Sequence, residues 1–330
     1  MPFSTTSEQK QRSVRSPEPE AESSKSSKGS SIQTAHADDS QEELRDSPSV
    51  EIQDLVGPEE QRLLIVWYLR ARDLSSQNPS VQDPFATALI DKIKLDLSRS
   101  EFKLDQTYVR YVSGRTKQID EWTGQFLNRH QFEDSIVLQL TCGLDTRYLR
   151  VKGGRDVKWI DVERPRVAAL RNRLIPTPEG DYELISAMIG EDDQSWLGRI
   201  PSDRPVLIIM ESLLYYLEPE KGLRLLQRLL AHFRKGNIVC DTFGSVAVTF
   251  NSLIPPLKNA KSAVKWGIDD AEDLQKLDKR LVLRDRVYSH EYMSAGWFAK
   301  GYPPMFGGWT PLISLLPKFK KHGQFLHFEF

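Results

Sequence analysis

From about residue 56 onward the apolar residues follow two rhythms, one of helical spacing and one of short continuous runs. PEEQRLLIVWYLRARDL (58–74) opens on a proline and two glutamates, which suit the positive end of a helix dipole, and then builds an apolar face. QDPFATALIDKI (82–93) predicts a second helix entered through Asp83-Pro84. YVRYVSGRTKQIDEWTGQFLNRH (108–130) predicts helical segments broken near Gly114. Three helical pieces therefore precede the first strand. Residues 1–50 follow neither rhythm. They are Ser-rich, charged and almost free of large apolar side chains, so they cannot offset their ordering entropy and are expected to form a disordered tail.

Strands and helices then alternate. SIVLQL (135–140) is a continuous apolar run, as suits a strand covered on both faces. VKWIDVE (157–163), YELISAM (182–188), PVLIIM (205–210) and NIVCDTF (237–243) predict four more strands. RPRVAALRNRLI (164–175) and PEKGLRLLQRLLAHF (219–233) predict helices between them, and RLVLRDRVYS (280–289) and GQFLHFEF (323–330) the final strands. The alternation specifies an α/β fold with a doubly wound, mostly parallel sheet. One domain is expected over 51–330: a helical cover (51–130), a core (135–243), an inserted lid (244–310) and a terminal strand region (311–330). The lid is marked by Pro255-Pro256 and GYPPMFGGW (301–309), which break the rhythm.

Composition narrows the partners. A chain of 330 residues, 39% hydrophobic and 28% charged, can bury a sizeable core as a soluble protein. A net charge of −1 supplies no field for nucleic acid or an anionic membrane, so neither is expected as a partner. The longest apolar run, LLIVWYL (63–69), is flanked by Arg62 and Arg70 and falls well short of the ~20 residues that span a bilayer. The N-terminal segment lacks the apolar core of a signal peptide, and a cytoplasmic location follows as the expectation. Cys142 and Cys240 lie in apolar runs as small hydrophobes, and the six histidines show no ligand spacing, so no metal is expected.

In an open α/β sheet the chemistry sits beyond the carboxyl ends of the strands. LQLTCGLDTRYLR (138–150) leaves its strand on a single glycine, Gly143, with Asp145 and Arg147 behind it. Asp161 and Glu163 follow Gly143 by 18 and 20 residues, the interval of a βαβ unit, and either suits the two hydroxyls of a ribose. Glu211 stands directly after a buried run and needs a cation or donors; Arg115, in the helices before the sheet, can supply the charge. Each has a plain alternative: a structural turn at Gly143, solvated acids after the second strand, a helix cap or a partner for a structural arginine at Glu211, a surface position for Arg115.

Taken together, GRTKQIDEW, LQLTCGLDTRYLRV, WIDVERPRVAALRNRLI and IIMESLLYYLEPEKGLRLLQRL, with QDPFA upstream, resemble the leucine carboxyl methyltransferase family. The branch they resemble most includes the tetracenomycin-type polyketide O-methyltransferases, and the likeness covers residues 55–243 and the last strand. The resemblance implies a Rossmann-like class I fold that uses S-adenosylmethionine (SAM). It implies Arg115 on the carboxylate of the methyl donor and Thr141 through Gly143 at its methionine part. Glu163 would hold the ribose, with Asp161 as a close rival, and Glu211 would lie at the methionyl end. One glycine suffices for such a donor because it carries no pyrophosphate to cradle. The family usually has glycine where this chain has Thr141, whose branched side chain narrows the approach. It often has Asp near the adenine where this chain has Met188; either Asp192 or Asp193 substitutes or Met188 packs on the ring.

The implied activity is methylation of a hydroxyl or carboxyl on a small molecule, possible acceptors including polyketide-like secondary metabolites. Tyr215, Tyr216, His290 and Tyr302 are candidate bases, none with a diagnostic partner, so the catalytic group stays unassigned. The aromatic residues from Phe243 and Trp266 to Trp309 either line a pocket for a flat acceptor or belong to the core. Three rival readings stand: methylation of a protein's C-terminal leucine, a SAM-binding protein without activity in which Thr141 is the lesion, and a nicotinamide enzyme, which the missing glycines disfavour.

Overall fold

The computed structural model describes residues 60–93, 106–151, 156–190, 195–249, 264–292 and 317–330. Among the described residues three helices come first: α1 (Glu60–Leu74), α2 (Pro84–Lys92) and α3 (Gln106–Arg129). Helix α2 starts where Asp83-Pro84 predicts. The Asp83 carboxylate accepts the Ala86 N–H (3.0 Å), and proline sits in the first turn, where its missing N–H is not needed. Helix α3 departs from the sequence reading and runs unbroken through Gly114. A Cβ at Gly114 would lie 2.4 Å from the Tyr292 ring, so this glycine serves close packing and not a turn.

The seven strands β1 (Ser135–Leu140), β2 (Val157–Glu163), β3 (Tyr182–Ser186), β4 (Val206–Met210), β5 (Gly236–Phe243), β6 (Val282–Tyr288) and β7 (Gly323–Glu329) form one sheet. Their order is β3-β2-β1-β4-β5-β7-β6. Strands β1 to β5 are parallel, and β7 runs antiparallel between β5 and β6. The chain order turns back between β1 and β4, which makes their carboxyl ends the switch point of the sheet. The third strand ends at Ser186, earlier than the expected 188, so Ala187 and Met188 leave the sheet.

Both faces of the central strands are buried, and alternate residues serve opposite layers. Val137, Leu207, Ile209 and Val239 share a core with Trp67, Phe85 and Trp122 of the first three helices. Ile136, Leu138, Ile208 and Cys240 share the other with Leu225 and Leu229 of α4 (Pro219–His232). Each such side chain contributes about 1.5–3 kcal/mol on burial, and this is what holds the strand ends in register. Trp266 belongs to the second core: its ring lies where a Cβ on Gly222 of α4 would approach to 2.2 Å, so the lid residue is packing. Trp309, Tyr302, Asp192, Asp193 and the tail 1–50 lie outside the described residues. Among the described residues no helix is long and apolar enough to cross a membrane.

Candidate active site

Three non-regular backbone positions crowd the switch point. Thr141 (φ 54°) and Gly143 (φ 55°) follow β1, and Ser212 (φ 57°) follows β4, all in the left-handed region. Only glycine enters that region without cost, so Thr141 and Ser212 hold strain that their surroundings must enforce. Thr141 N–H still donates to Val162 O (2.8 Å), which ties the turn to β2. The Gly143 N–H then donates to Glu163 Oε2 (2.8 Å), and the β1 loop closes onto the end of β2.

The two acids of β2 differ in what they are free to do. Asp161 accepts from Trp159 Nε1 (3.0 Å) and Tyr182 Oη (2.8 Å), and pairs with Arg171 Nη2 (2.8 Å). Glu163, at the strand end, accepts the backbone N–H groups of Gly143 and Arg164 and has the Arg164 guanidinium 3.6 Å away, so among the described residues it keeps lone pairs for a ligand. Burial raises the pKa of both; Arg171 opposes the rise at Asp161, and the two N–H groups oppose it at Glu163. Arg171 also donates through Nη1 to the carbonyls of Gly143 (3.2 Å) and Asp145, stapling the β1 loop from below.

Arg115 and Glu211 meet as the sequence suggested. Arg115, 2% exposed on α3, donates from Nε to Glu211 Oε1 (3.0 Å) and from Nη1 to Asp241 Oδ2 (3.0 Å). Its Nη2 is buried and has no hydrogen-bond partner among the described residues. Glu211 also accepts from Thr116 Oγ1 (3.2 Å) and Arg147 Nη2 (2.5 Å). Burial alone would raise the Glu211 pKa, but Arg115 and Arg147 outweigh it and pull it down to about 2. The acid is therefore ionised at any working pH.

The network extends into residues to which the sequence assigned no role. Arg147 pairs with Asp120 (2.6 Å) and Asp145 (2.8 Å), and Asp145 is held further by Arg70 (2.5 Å), Arg150 (2.7 Å) and Gln139 Nε2 (2.8 Å). Burial works against the Asp145 charge, yet Arg147, Arg150 and Arg70 hold its carboxyl well below the usual range. Asp83, besides capping α2, accepts the Thr146 hydroxyl (2.8 Å). Alternating charges thus join the first three helices to the β1 loop. QDPFA and GRTKQIDEW, recognised as motifs, hold the acids Asp83 and Asp120 of this network.

The remaining candidates scatter. Met188, 46% exposed, stands just past β3. Tyr215 is buried beside Phe243 (ring centroids 4.6 Å) and Tyr216 (4.6 Å), while His290 stacks on Tyr288 (5.6 Å). Tyr215 lies near enough to Arg115 and Asp241 for their charges to bear on its hydroxyl, and Tyr302 lies outside the described residues.

These site features lie within a recognisable lineage. A profile of the leucine carboxyl methyltransferase family matches residues 64–230. The chain is 34% identical over 213 residues to the tetracenomycin polyketide synthesis O-methyltransferase TcmP of Streptomyces glaucescens, covering 64% of this chain and 76% of that protein. It is 33% identical over 271 residues to the S-adenosyl-L-methionine-dependent methyltransferase dpfgK of Gibberella zeae, covering 74% of this chain and 88% of the relative. With β1 to β5 and both halves of the Arg115–Glu211 pair inside or beside the matched span, the chain belongs to the leucine carboxyl methyltransferase family.

Proposed function

We propose that this protein is a SAM-dependent O-methyltransferase that methylates a hydroxyl or carboxyl group of a small molecule. The observation that carries the reading is Arg115. A buried guanidinium with two nitrogens paired and Nη2 without a hydrogen-bond partner among the described residues, at the switch point of the sheet, suits one more anion. The carboxylate of SAM supplies that anion, and Glu211, ionised beside it, suits the donor's ammonium group. Glu163 holds the ribose, Thr141 through Gly143 line the methionine part, and Met188 packs on the adenine. Asp161 is the weaker ribose ligand because its oxygens already serve Trp159, Tyr182 and Arg171.

SAM supplies a methyl carbon already activated by the sulfonium, so the protein's task is alignment and exclusion of water. The charge network does the first by fixing Arg115 and Glu211 on rigid elements. A carboxylate acceptor arrives ionised and needs no base, whereas a phenol gains from a group that stabilises the phenolate. The likeness to TcmP supports a flat, polyketide-like acceptor and a place in secondary metabolism. Two buried, unpaired cysteines support a reducing, cytoplasmic setting.

Calorimetric titration of SAM into the wild type and a Glu211→Gln variant tests the reading. Binding in the micromolar range is expected for the wild type, weakened about tenfold or more in the variant by loss of a buried charge partner. A wild-type protein that binds no SAM would end the proposal.

A further inference from the structure

Arg115 is gripped on more sides than a lone ion pair requires. Glu211 takes Nε, Asp241 takes Nη1, and the Tyr111 ring, one helical turn earlier, lies 5.7 Å from the guanidinium carbon. Asp241 is wholly buried near the end of β5, which no part of the donor reading assigns to a ligand. Its second oxygen, Oδ1, accepts the backbone N–H of Ser212 (2.6 Å), the left-handed residue that follows Glu211. One carboxylate therefore holds both the guanidinium that faces the donor and the strained turn that presents Glu211.

We propose that Asp241 is a positioning residue for the donor's carboxylate: it locks the Arg115 guanidinium so that Nη2 is the nitrogen left to bind, and it sets the Ser212 turn that aims Glu211. The geometry supports this reading because the two nitrogens that face protein carboxylates are taken, and Nη2 is left buried without a hydrogen-bond partner among the described residues. Burial raises the Asp241 pKa and Arg115 opposes the rise, so the carboxylate depends on the guanidinium as much as it holds it.

The proposal rests on the SAM reading, and its test separates the two. Asp241→Asn keeps the size of the side chain. An asparagine that still accepts the Ser212 N–H must turn its amide N–H₂ toward Arg115 Nη1, donor against donor, and Arg115 is left held by Glu211 at Nε alone. Binding of S-adenosylhomocysteine and of 5′-methylthioadenosine is measured by calorimetry in both proteins. The second ligand keeps the adenosine and thioether but lacks the amino acid carboxylate. Asp241→Asn is expected to weaken S-adenosylhomocysteine about tenfold or more and to leave methylthioadenosine within about twofold. Equal loss for both ligands, or loss for neither, would overturn the positioning role. A wild type that binds neither ligand would overturn the donor site itself, and the role of Asp241 with it. Should Asp241→Asn not fold, Asp241→Glu keeps the charge but displaces it by one methylene, and the same selective loss is expected there.

Discussion

Thr141 holds a left-handed backbone that costs a residue with a side chain about 1–2 kcal/mol, against about 0.5–1 kcal/mol of extra chain entropy for glycine. The balance favours glycine, with the Thr141 hydroxyl's bond to its neighbour Leu140 O (2.7 Å) as a small loss. Thr141→Gly is therefore expected to raise stability by about 0.5–1 kcal/mol, read from urea unfolding, whereas glycine in most strand ends lowers it. A clear drop would show that the side chain outweighs the strain. The residues of the site were unevenly legible. Glu211 was visible because a carboxylate after a buried run has to be satisfied, and Gly143 because it ends one. Asp241 was not, since it lies inside the apolar run NIVCDTF and its partner Arg115 is 126 residues away. Arg171, Asp120 and Arg150 are hidden for the same reason: a helix charge looks solvated until its distant partner is known.

Helix α3 makes the same point for elements, with two glycines that predict opposite outcomes. Gly124 has nothing within 4 Å of an added Cβ, so Gly124→Ala is expected to gain about 0.5–1 kcal/mol of helix propensity. At Gly114 the Cβ would strike Tyr292, whose hydroxyl is anchored on Gln118 Oε1 (2.8 Å), and Gly114→Ala is expected to cost about 1–3 kcal/mol. Paired thermal unfolding curves decide it, and a gain at both positions would show that Tyr292 moves aside freely. The strands were read to within a few residues because the apolar runs are of strand length and rich in β-branched side chains. The break placed at Gly114 came from treating glycine as a local signal, when the reason for it sits on a segment 178 positions later.

For the whole molecule, acid should act in two successive windows. His322 is buried edge-on against Phe243 (5.7 Å), and burial pushes its pKa down from 6.5 to about 4. The unfolded chain therefore takes up a proton that the folded one refuses, and stability falls as pH drops from 6.5 to about 4, by about 3 kcal/mol in total. Glu211, drawn down from 4.5 to about 2, adds stability above pH 4.5 that is lost as pH falls toward 2. Urea unfolding of the wild type and His322→Gln at pH 7, 5 and 4 checks the first window. The difference between the two proteins should change steadily across that range; a constant difference would show that His322 does not carry the loss.

The span between Arg115 and its two acids also sets an order of events during synthesis. When α3 leaves the ribosome, Arg115 has no partner until Glu211 arrives 96 residues later, and Asp241 follows 126 residues after the arginine. At about 5–20 residues per second, the helical cover waits roughly 6–25 s with a charge it cannot yet bury. Contacts of that separation are slow to form, and Arg115 gains its full set of partners only once β5 is made. The charges that prepare the site thus tie the closing of the helical cover to the completion of the sheet.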